Sequence, residues 1–175
     1  MKLKLIIFLF SNIFFIFSFG QTNENKDTYE IVSVVIVSIN SEIPVVDTLA
    51  PAKFSSKFLR KQIEEKVSLN RKQKKILRKG DKTKFGILIN RTELPMLKFY
   101  DNDSIVNAYK NLNKKSLEYI FKKKPFYVIS KPIIFEESGI AILDINLIGG
   151  YGAIYILRKE NGKWNIIGEV GKWYV

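Results

Sequence analysis

Asp144 and Asn146 come closest, by type and spacing, to a catalytic pair in this chain. They lie two positions apart in the apolar segment 140–148, so both side chains point to one face if the segment is a β-strand. A carboxylate flanked by isoleucines can act as a general base because burial raises its pKa, and a neighbouring amide can orient a substrate. The alternative is that this face is the wetter side of a sheet, and the sequence favours it. Asp144 and Asn146 are therefore the catalytic candidates, but no catalytic residue is assigned.

The 175-residue chain contains neither histidine nor cysteine. The missing histidine excludes Ser-His-Asp and Cys-His triads, imidazole metal ligands and imidazole acid–base catalysis. The missing cysteine excludes disulfides, thiolate zinc sites and the lipidated cysteine of an exported lipoprotein. Carboxylate, lysine, tyrosine and serine or threonine chemistry remains available, yet the sequence alone places no second carboxylate opposite Asp144. We expect no metal and no cofactor, and the sequence favours a protein that is not an enzyme.

The protein is strongly basic, with 29 Lys and Arg residues against 17 Asp and Glu residues and a net charge of +12. Such an excess attracts nucleic acid, anionic lipid or acidic polysaccharide. Arginine occurs only at positions 60, 71, 78, 91 and 158, whereas phosphate and base recognition favours its planar fork over lysine. Abundant Lys, Asn and Ile also suit the codon bias of an AT-rich genome. We favour composition bias over a polyanion ligand and expect no specific nucleic-acid binding.

The basic residues are densest in a predicted helix over residues 70–79. Like charges four residues apart, such as Arg71 and Lys75, destabilise a helix unless an anion lies alongside. The apolar content of this helix, Ile76 and Leu77, is too small for a membrane-surface helix. Two interpretations stay open: a helix that contacts an anionic ligand, or a solvated face held down by two core residues. The sequence favours the second.

Two short motifs resemble ligand-binding loops but fit local structure better. Gly149-Gly150-Tyr151-Gly152 is followed by a β-type segment, whereas phosphate-binding loops lead into a helix, so a hairpin turn is predicted. Asp101-x-Asp103 lacks the further ligands and the glycine of a calcium loop, and we expect it to cap a helix.

The elements that must position these residues run from helices to strands along the chain. Helices are predicted over residues 29–39, over two stretches between 55 and 80 separated near 68–70, and from 101 to 124. Strands are predicted over residues 44–48, 85–90, 126–135, 140–148, 153–159 and 163–170. The fold class is therefore α+β, with N-terminal helices packed on one apolar face of a C-terminal antiparallel β-meander. A single domain is expected over residues 27–175.

The segment 29–39 allows both helix and strand. Its β-branched residues favour a buried strand, but Val32, Val35, Ile36 and Ile39 recur at helical spacing. Asp27-x-x-Glu30 also resembles a capping box. The sequence leans towards a helix.

The first twenty residues have the pattern of a secretory signal peptide. Lys2 and Lys4 precede an apolar run, small residues follow it, and cleavage is expected just before Gln21. The run is too short and too polar for a transmembrane anchor, which is the alternative. Residues 21–26 are expected to form a disordered leader, and the mature protein, at +10, is expected to be periplasmic or secreted with no stable membrane anchor.

The last fifty residues resemble a group of small exported proteins from Bacteroidota. The pattern consists of short motifs that are common in β-hairpins: Ser130-x-Pro132-Ile133, Gly149-Gly150-x-Gly152, Asn161-Gly162-Lys163-Trp164 and a final Trp173. The resemblance implies a bacterial lineage and an exported location, and no activity. Members often carry cysteines around the glycine turn; this chain has none, which disfavours a disulfide there.

The Gly-Lys-Trp-x-Ile strand at 162–166 is also similar to the last strand of the nuclear-transport-factor-2-like fold. That similarity implies a cone-shaped sheet with a pocket, in which Asp144 would act with Asn146 or Tyr155.

Three functional hypotheses follow. The first is a non-catalytic binding or structural domain of the cell envelope. The second is the pocket-bearing enzyme or ligand-binding domain of the nuclear-transport-factor-2-like class. The third is a basic module that binds acidic polysaccharide or lipid. The partner is unknown, with an envelope protein or an acidic polysaccharide as the candidates.

Overall fold

The computed structural model describes residues 26–39, 42–80 apart from 53 and 55, 87–100, and 125–174 apart from 149, the side chains of 172–174 excepted. Its class is α+β, as predicted. The helices are α1 (residues 26–38), α2 (Lys57–Lys66) and α3 (Arg71–Lys79). The helix predicted over residues 101–124 lies outside the described residues.

Among the described residues, strands longer than two residues begin after residue 125. They are β1 (Val45–Val46), β2 (Thr48–Leu49), β3 (Ile87–Leu88), β4 (Phe99–Tyr100), β5 (Phe126–Ile129), β6 (Ile133–Phe135), β7 (Ile140–Ile148), β8 (Tyr151–Glu160) and β9 (Lys163–Tyr174). The main sheet has the order β4-β1-β5-β7-β8-β9, with β6 also paired to β7. The meander β5 to β9 is antiparallel as predicted, but β1 pairs in parallel with both β4 and β5.

The strand predicted over residues 126–135 is interrupted. β5 and β6 pair with the two halves of β7, and Ser130–Pro132 separates them. Pro132 has no N–H to donate to a ladder, so a regular strand cannot continue through it. Ala50 lies alongside the break, donating its N–H to the Ile129 carbonyl at 2.8 Å and accepting from the Lys131 N–H at 2.7 Å.

The sheet is covered by helices on both faces, whereas one covered face was predicted. The cause is β7, whose residues 140 to 143 are all buried, so neither face can be left to water. α1 covers the first face, which is built from Ala141, Leu143, Ile145, Ala153, Tyr155, Leu157 and Trp164. α2 and α3 cover the second face, which is built from Ile133, Phe135, Ile140, Ile142, Ile154, Ile156 and Val170.

Residues 26–38 are helical, so the helical interpretation of this segment is confirmed. Val32, Val35 and Ile36 are buried in the first-face core. The capping-box interpretation is wrong, because Asp27 already lies inside the helix. The Asp27 carboxylate instead accepts hydrogen bonds from Lys159 Nζ at 2.7 Å and from the indole N–H of Trp164 at 3.2 Å.

Glu30 makes a second connection between α1 and the last hairpin. Its Oε1 accepts from the backbone N–H of Trp164 at 3.1 Å. Trp164 itself is a buried core residue, as predicted. The hairpin turns at Asn161 and Gly162, both with positive φ (51° and 78°), which is the backbone of a type I′ turn. β9 extends past the predicted end at 170, with Gly171 at φ 63°.

The two predicted helices between residues 55 and 80 are confirmed, and their caps follow the sequence. Ser56 caps α2, and its hydroxyl accepts from the Leu59 N–H. Asn70 and Gln73 form the predicted capping box, each side chain accepting from the other residue's N–H at 2.9 Å. Gly80 ends α3 at φ 66°. The Gln73 amide also donates to the Ser138 hydroxyl at 2.9 Å, which ties α3 to the turn before β7.

The Asn70 cap is expected to carry much of the stability of α3, because the first turn of this helix contains no acidic residue. Asn70→Ala should lower the free energy of unfolding by about 1 kcal/mol, measured by urea denaturation. Asn70→Asp keeps the acceptor and adds a negative charge at the helix N-terminus, so it should retain or raise stability. Equal stability of Asn70→Ala and the wild type would show that the cap is dispensable.

Candidate functional site

Asp144 and Asn146 lie on the second face of β7, as their spacing predicts. Asp144 is opposite Ile154 and Asn146 is opposite Gly152 on β8. Both are partly buried, between the core under α2 and α3 and a smaller apolar cluster that contains Val46 and Phe126. The wetter-face interpretation is therefore wrong for the first half of β7, where Ile142 is fully buried, and fits its second half better.

Ser130 is the closest polar partner of Asp144. Its hydroxyl accepts from the Asp144 N–H at 2.9 Å, and its own N–H donates to the Asp144 carbonyl at 2.9 Å. Ser130 is 1% exposed, so its hydroxyl is closed off from an incoming substrate. These two hydrogen bonds continue the pairing with β7 across the break between β5 and β6. Ser130 and Asp144 therefore do not form a nucleophile–base pair that is open to solvent.

Burial raises the pKa of Asp144 to about 6, and a hydrogen bond with the Ser130 side chain acts in the opposite direction. The carboxylate thus loses hydration on burial, and the hydrogen bond in the protein does not fully replace it. Such a pKa suits a general base, but Asp144 lines none of the three grooves described below. It is a titratable group in the wall of the core.

Tyr155, the proposed catalytic companion of Asp144, belongs to the opposite face of the sheet. It pairs with Leu143 across β7 and β8 and packs in the first-face core. Burial raises its pKa to about 12, helped by the charge of Glu169 and by nearby Tyr151 and Tyr127. The sheet backbone separates Tyr155 from Asp144, so the two side chains cannot act on one substrate.

Many exposed charged residues lie between α2 and α3. The two helices form the walls of a groove of about 1240 Å³, which we call the basic groove. Seven cationic residues and one carboxylate line it, together with Leu69: the charged residues are Lys57, Arg60, Glu64, Arg71, Lys72, Lys74, Lys75 and Arg78.

Three of the cations in the basic groove have acceptors in the protein. Lys74 Nζ lies 2.8 Å from Glu64, which joins α3 to α2 across the groove. Arg60 donates to the Phe54 carbonyl at 2.6 Å. Lys72 lies 3.7 Å from Glu137 in a highly exposed pair that contributes little. Within the described parts of the chain, the remaining four have no such acceptor: Lys57, Arg71, Lys75 and Arg78.

These charges oppose the helix that carries them. Cations in the first turn, here Arg71 and Lys72, interact unfavourably with the positive end of the helix dipole. Arg71 and Lys75 are also neighbours four residues apart, as are Lys74 and Arg78, so each pair repels. An anion in the groove would relieve both effects.

Sequence reasoning found α3 but missed the wall that α2 supplies. Lys57, Arg60 and Glu64 recur at i, i+3 and i+7, the spacing of one helical face. That spacing could have indicated a charged face on α2. What the sequence could not show is that α2 and α3 lie side by side on the second face of the sheet.

Two smaller grooves border contacts that have a local structural role. A groove of about 420 Å³ at the start of α1 contains Asp27, Glu30 and Lys159, whose side chains already hold α1 to the last hairpin. A third, of about 510 Å³, borders the ion pair between Asp47 and Arg91, 2.8 Å apart. Among the described residues, no three acidic side chains cluster as metal ligands do, and no helix is both long and apolar enough to cross a bilayer.

Comparison of this chain with protein-family models, curated proteins and solved structures finds no match. The candidate sites are therefore judged on the geometry and chemistry of the chain's own residues. The basic groove is the stronger candidate site, because four of its cations are exposed and have no acceptor among the described residues, whereas Asp144 is largely buried in the sheet.

Replacing Asp144 by asparagine should stabilise the protein in a pH-dependent way. The folded state holds the Asp144 proton up to about pH 6, whereas an unfolded chain releases it near pH 4. Stability is therefore lost as the pH rises between these values, and the loss is complete above pH 6. Asp144→Asn should raise the free energy of unfolding at about pH 8 by on the order of 2 kcal/mol, and by much less at about pH 4.

The measurement is urea denaturation at both pH values, with Glu160→Gln as the control. Glu160 is an exposed carboxyl at the end of β8, and its neutralisation should leave stability unchanged at both. Destabilisation by Asp144→Asn at the higher pH would show instead that the carboxylate is held by an ionic partner.

Proposed function

We propose that this protein is a non-catalytic domain, exported to the cell envelope, that binds a polyanion in the basic groove. The observation that carries the proposal is the exposure of Lys57, Arg71, Lys75 and Arg78 along one groove, without acceptors among the described residues. If this helix face were only solvated, its cations would more often be paired with acidic residues of the same helix. The first turn of α3 contains no acidic residue. The sequence interpretation, composition bias, is weakened because these cations converge in space.

Catalysis has less support. The whole chain lacks histidine and cysteine, and the two candidate partners Asp144 and Tyr155 face opposite sides of the sheet. The pocket-bearing enzyme of the nuclear-transport-factor-2-like class stays a prediction, as does kinship with the exported Bacteroidota proteins. An activity that disappears in Asp144→Asn, in a variant shown to be folded, would revive the enzyme.

Polyanion binding is tested by calorimetric titration of the purified protein with dextran sulfate, a generic sulfated polymer. We expect the affinity to fall at least tenfold between about 50 mM and 200 mM NaCl, because neutralised charges release counterions. The variant Arg71→Glu/Lys75→Glu should lose most of the affinity. It should also be about as stable as the wild type, since it places an acid in the first turn of α3 and two acids among the cations that remain on this helix.

The matched control is Lys98→Glu/Lys163→Glu, which changes the net charge equally at two exposed lysines outside the groove. It should keep most of the affinity. Equal losses in both double variants would mean that dextran sulfate responds to net charge alone, and binding that is insensitive to salt would contradict the proposal.

Export is tested separately. When the complete chain is produced in a bacterial host with a general secretion pathway, the intact mass of the recovered protein should correspond to a chain that begins at Gln21. The protein should be in the soluble periplasmic fraction or the medium. A full-length mass in the membrane fraction would support the alternative, in which residues 1–20 remain as an anchor.

A further inference from the structure

The unpaired cations of α3 form a line. Arg71, Lys75 and Arg78 are spaced i, i+4 and i+7, so they share one face of the helix. At a rise of about 1.5 Å per residue, this cationic stripe is about 10 Å long, with neighbouring positions about 4.5 to 6 Å apart along the axis. The stripe therefore matches a ligand with regularly separated negative charges better than one compact anion.

The fourth unpaired cation extends the stripe across the groove. Lys57 lies on α2, and the ion pair between Lys74 and Glu64 joins the two helices beside it. Because Glu64 is already engaged at 2.8 Å, it offers little repulsion to an entering anion. The groove is thus mainly positive, and one ion pair connects its two walls.

The composition of the groove argues against nucleic acid as the ligand. Single-stranded nucleic acids are bound by aromatic platforms on which bases stack, each contributing on the order of 1–3 kcal/mol. Among the described residues that line the basic groove, none is aromatic. A nucleic acid would therefore be held by its phosphates alone.

A bilayer surface fits the groove equally poorly. Binding of a helix to an interface needs apolar side chains that enter the membrane beside the cations. Leu69, the apolar lining residue, is 6% exposed. Phe58 and Ile76 are exposed on the same two helices, but helical geometry places each of them about 100° or more around its helix from the cations Lys57, Arg71, Lys75 and Arg78.

We propose that the ligand of the basic groove is an acidic polysaccharide, a linear chain with one anionic group on each sugar or on alternate sugars. This inference rests on the proposed polyanion-binding function and narrows it to one class. The stripe contacts successive anionic groups, Lys57 contacts the chain from the opposite wall, and the sugar hydroxyls remain in water. Recognition is by charge spacing, without apolar contact.

The experiment compares three probes against the purified protein at about 50 mM and 200 mM NaCl. The probes are polygalacturonate, which has one carboxylate per sugar, oligothymidylate, and vesicles of phosphatidylcholine with phosphatidylglycerol. We expect polygalacturonate to bind most tightly per charge. Lys75→Glu/Arg78→Glu should weaken it at least tenfold, and Lys98→Glu/Lys163→Glu should not. Binding of oligothymidylate or vesicles should be weaker and should be lost at the higher salt concentration.

The other outcomes separate the two proposals. Tighter binding of vesicles or oligothymidylate, abolished by the stripe variant, would overturn the polysaccharide inference and leave the polyanion-binding function standing. Equal weakening of polygalacturonate by both double variants would overturn the role of the stripe. Binding of no probe, together with none of dextran sulfate, would overturn both. The melting temperature of each variant confirms that it is folded.

Discussion

The burial of β7 on both faces is the constraint on which the rest of the structure depends. Its residues 140 to 143 contact water on neither side, so a single layer of helices would leave half of them exposed. At about 25 cal/mol per Å² of apolar surface, exposing even two isoleucines would remove several kcal/mol from a marginally stable domain. α1 therefore packs on one side and α2 with α3 on the other, and the basic groove is a product of the second packing.

Much of the fold could be predicted from the sequence because the local sequence features indicated the same elements. β7 has the predicted bounds, and the capping pair Asn70 and Gln73 and the terminating Gly80 mark α3 as predicted. The failures occurred where distant residues decide. Asp27 and Glu30 look like a local cap, but their acceptor oxygens are used by Lys159 and Trp164, more than 130 positions away.

The candidate site likewise combines features that local sequence predicts with features that depend on distant residues. The charge of α3 and the shared face of Asp144 and Asn146 follow from spacing alone, since periodicity decides which side chains share a face. The groove does not, because it requires that α2 and α3 lie next to each other, with Glu64 close to Lys74. The enclosure of Asp144 by Ser130 was equally hidden, since it depends on the break in pairing between β5 and β6.

α3 tolerates charges that oppose its own helix dipole, and a structural role alone gives no reason for them.

The connection between α1 and the last hairpin also bears on when the chain can fold. The apolar face of α1 packs on residues of β7, β8 and β9, and its carboxylates Asp27 and Glu30 accept hydrogen bonds from Lys159 and Trp164. The first helix therefore has no completed partner until nearly the whole chain has been synthesised. Contacts of such long sequence separation make folding slow. Under the export that we propose, such a chain would still be unfolded when it reached a secretion channel, and its native structure would close on the far side.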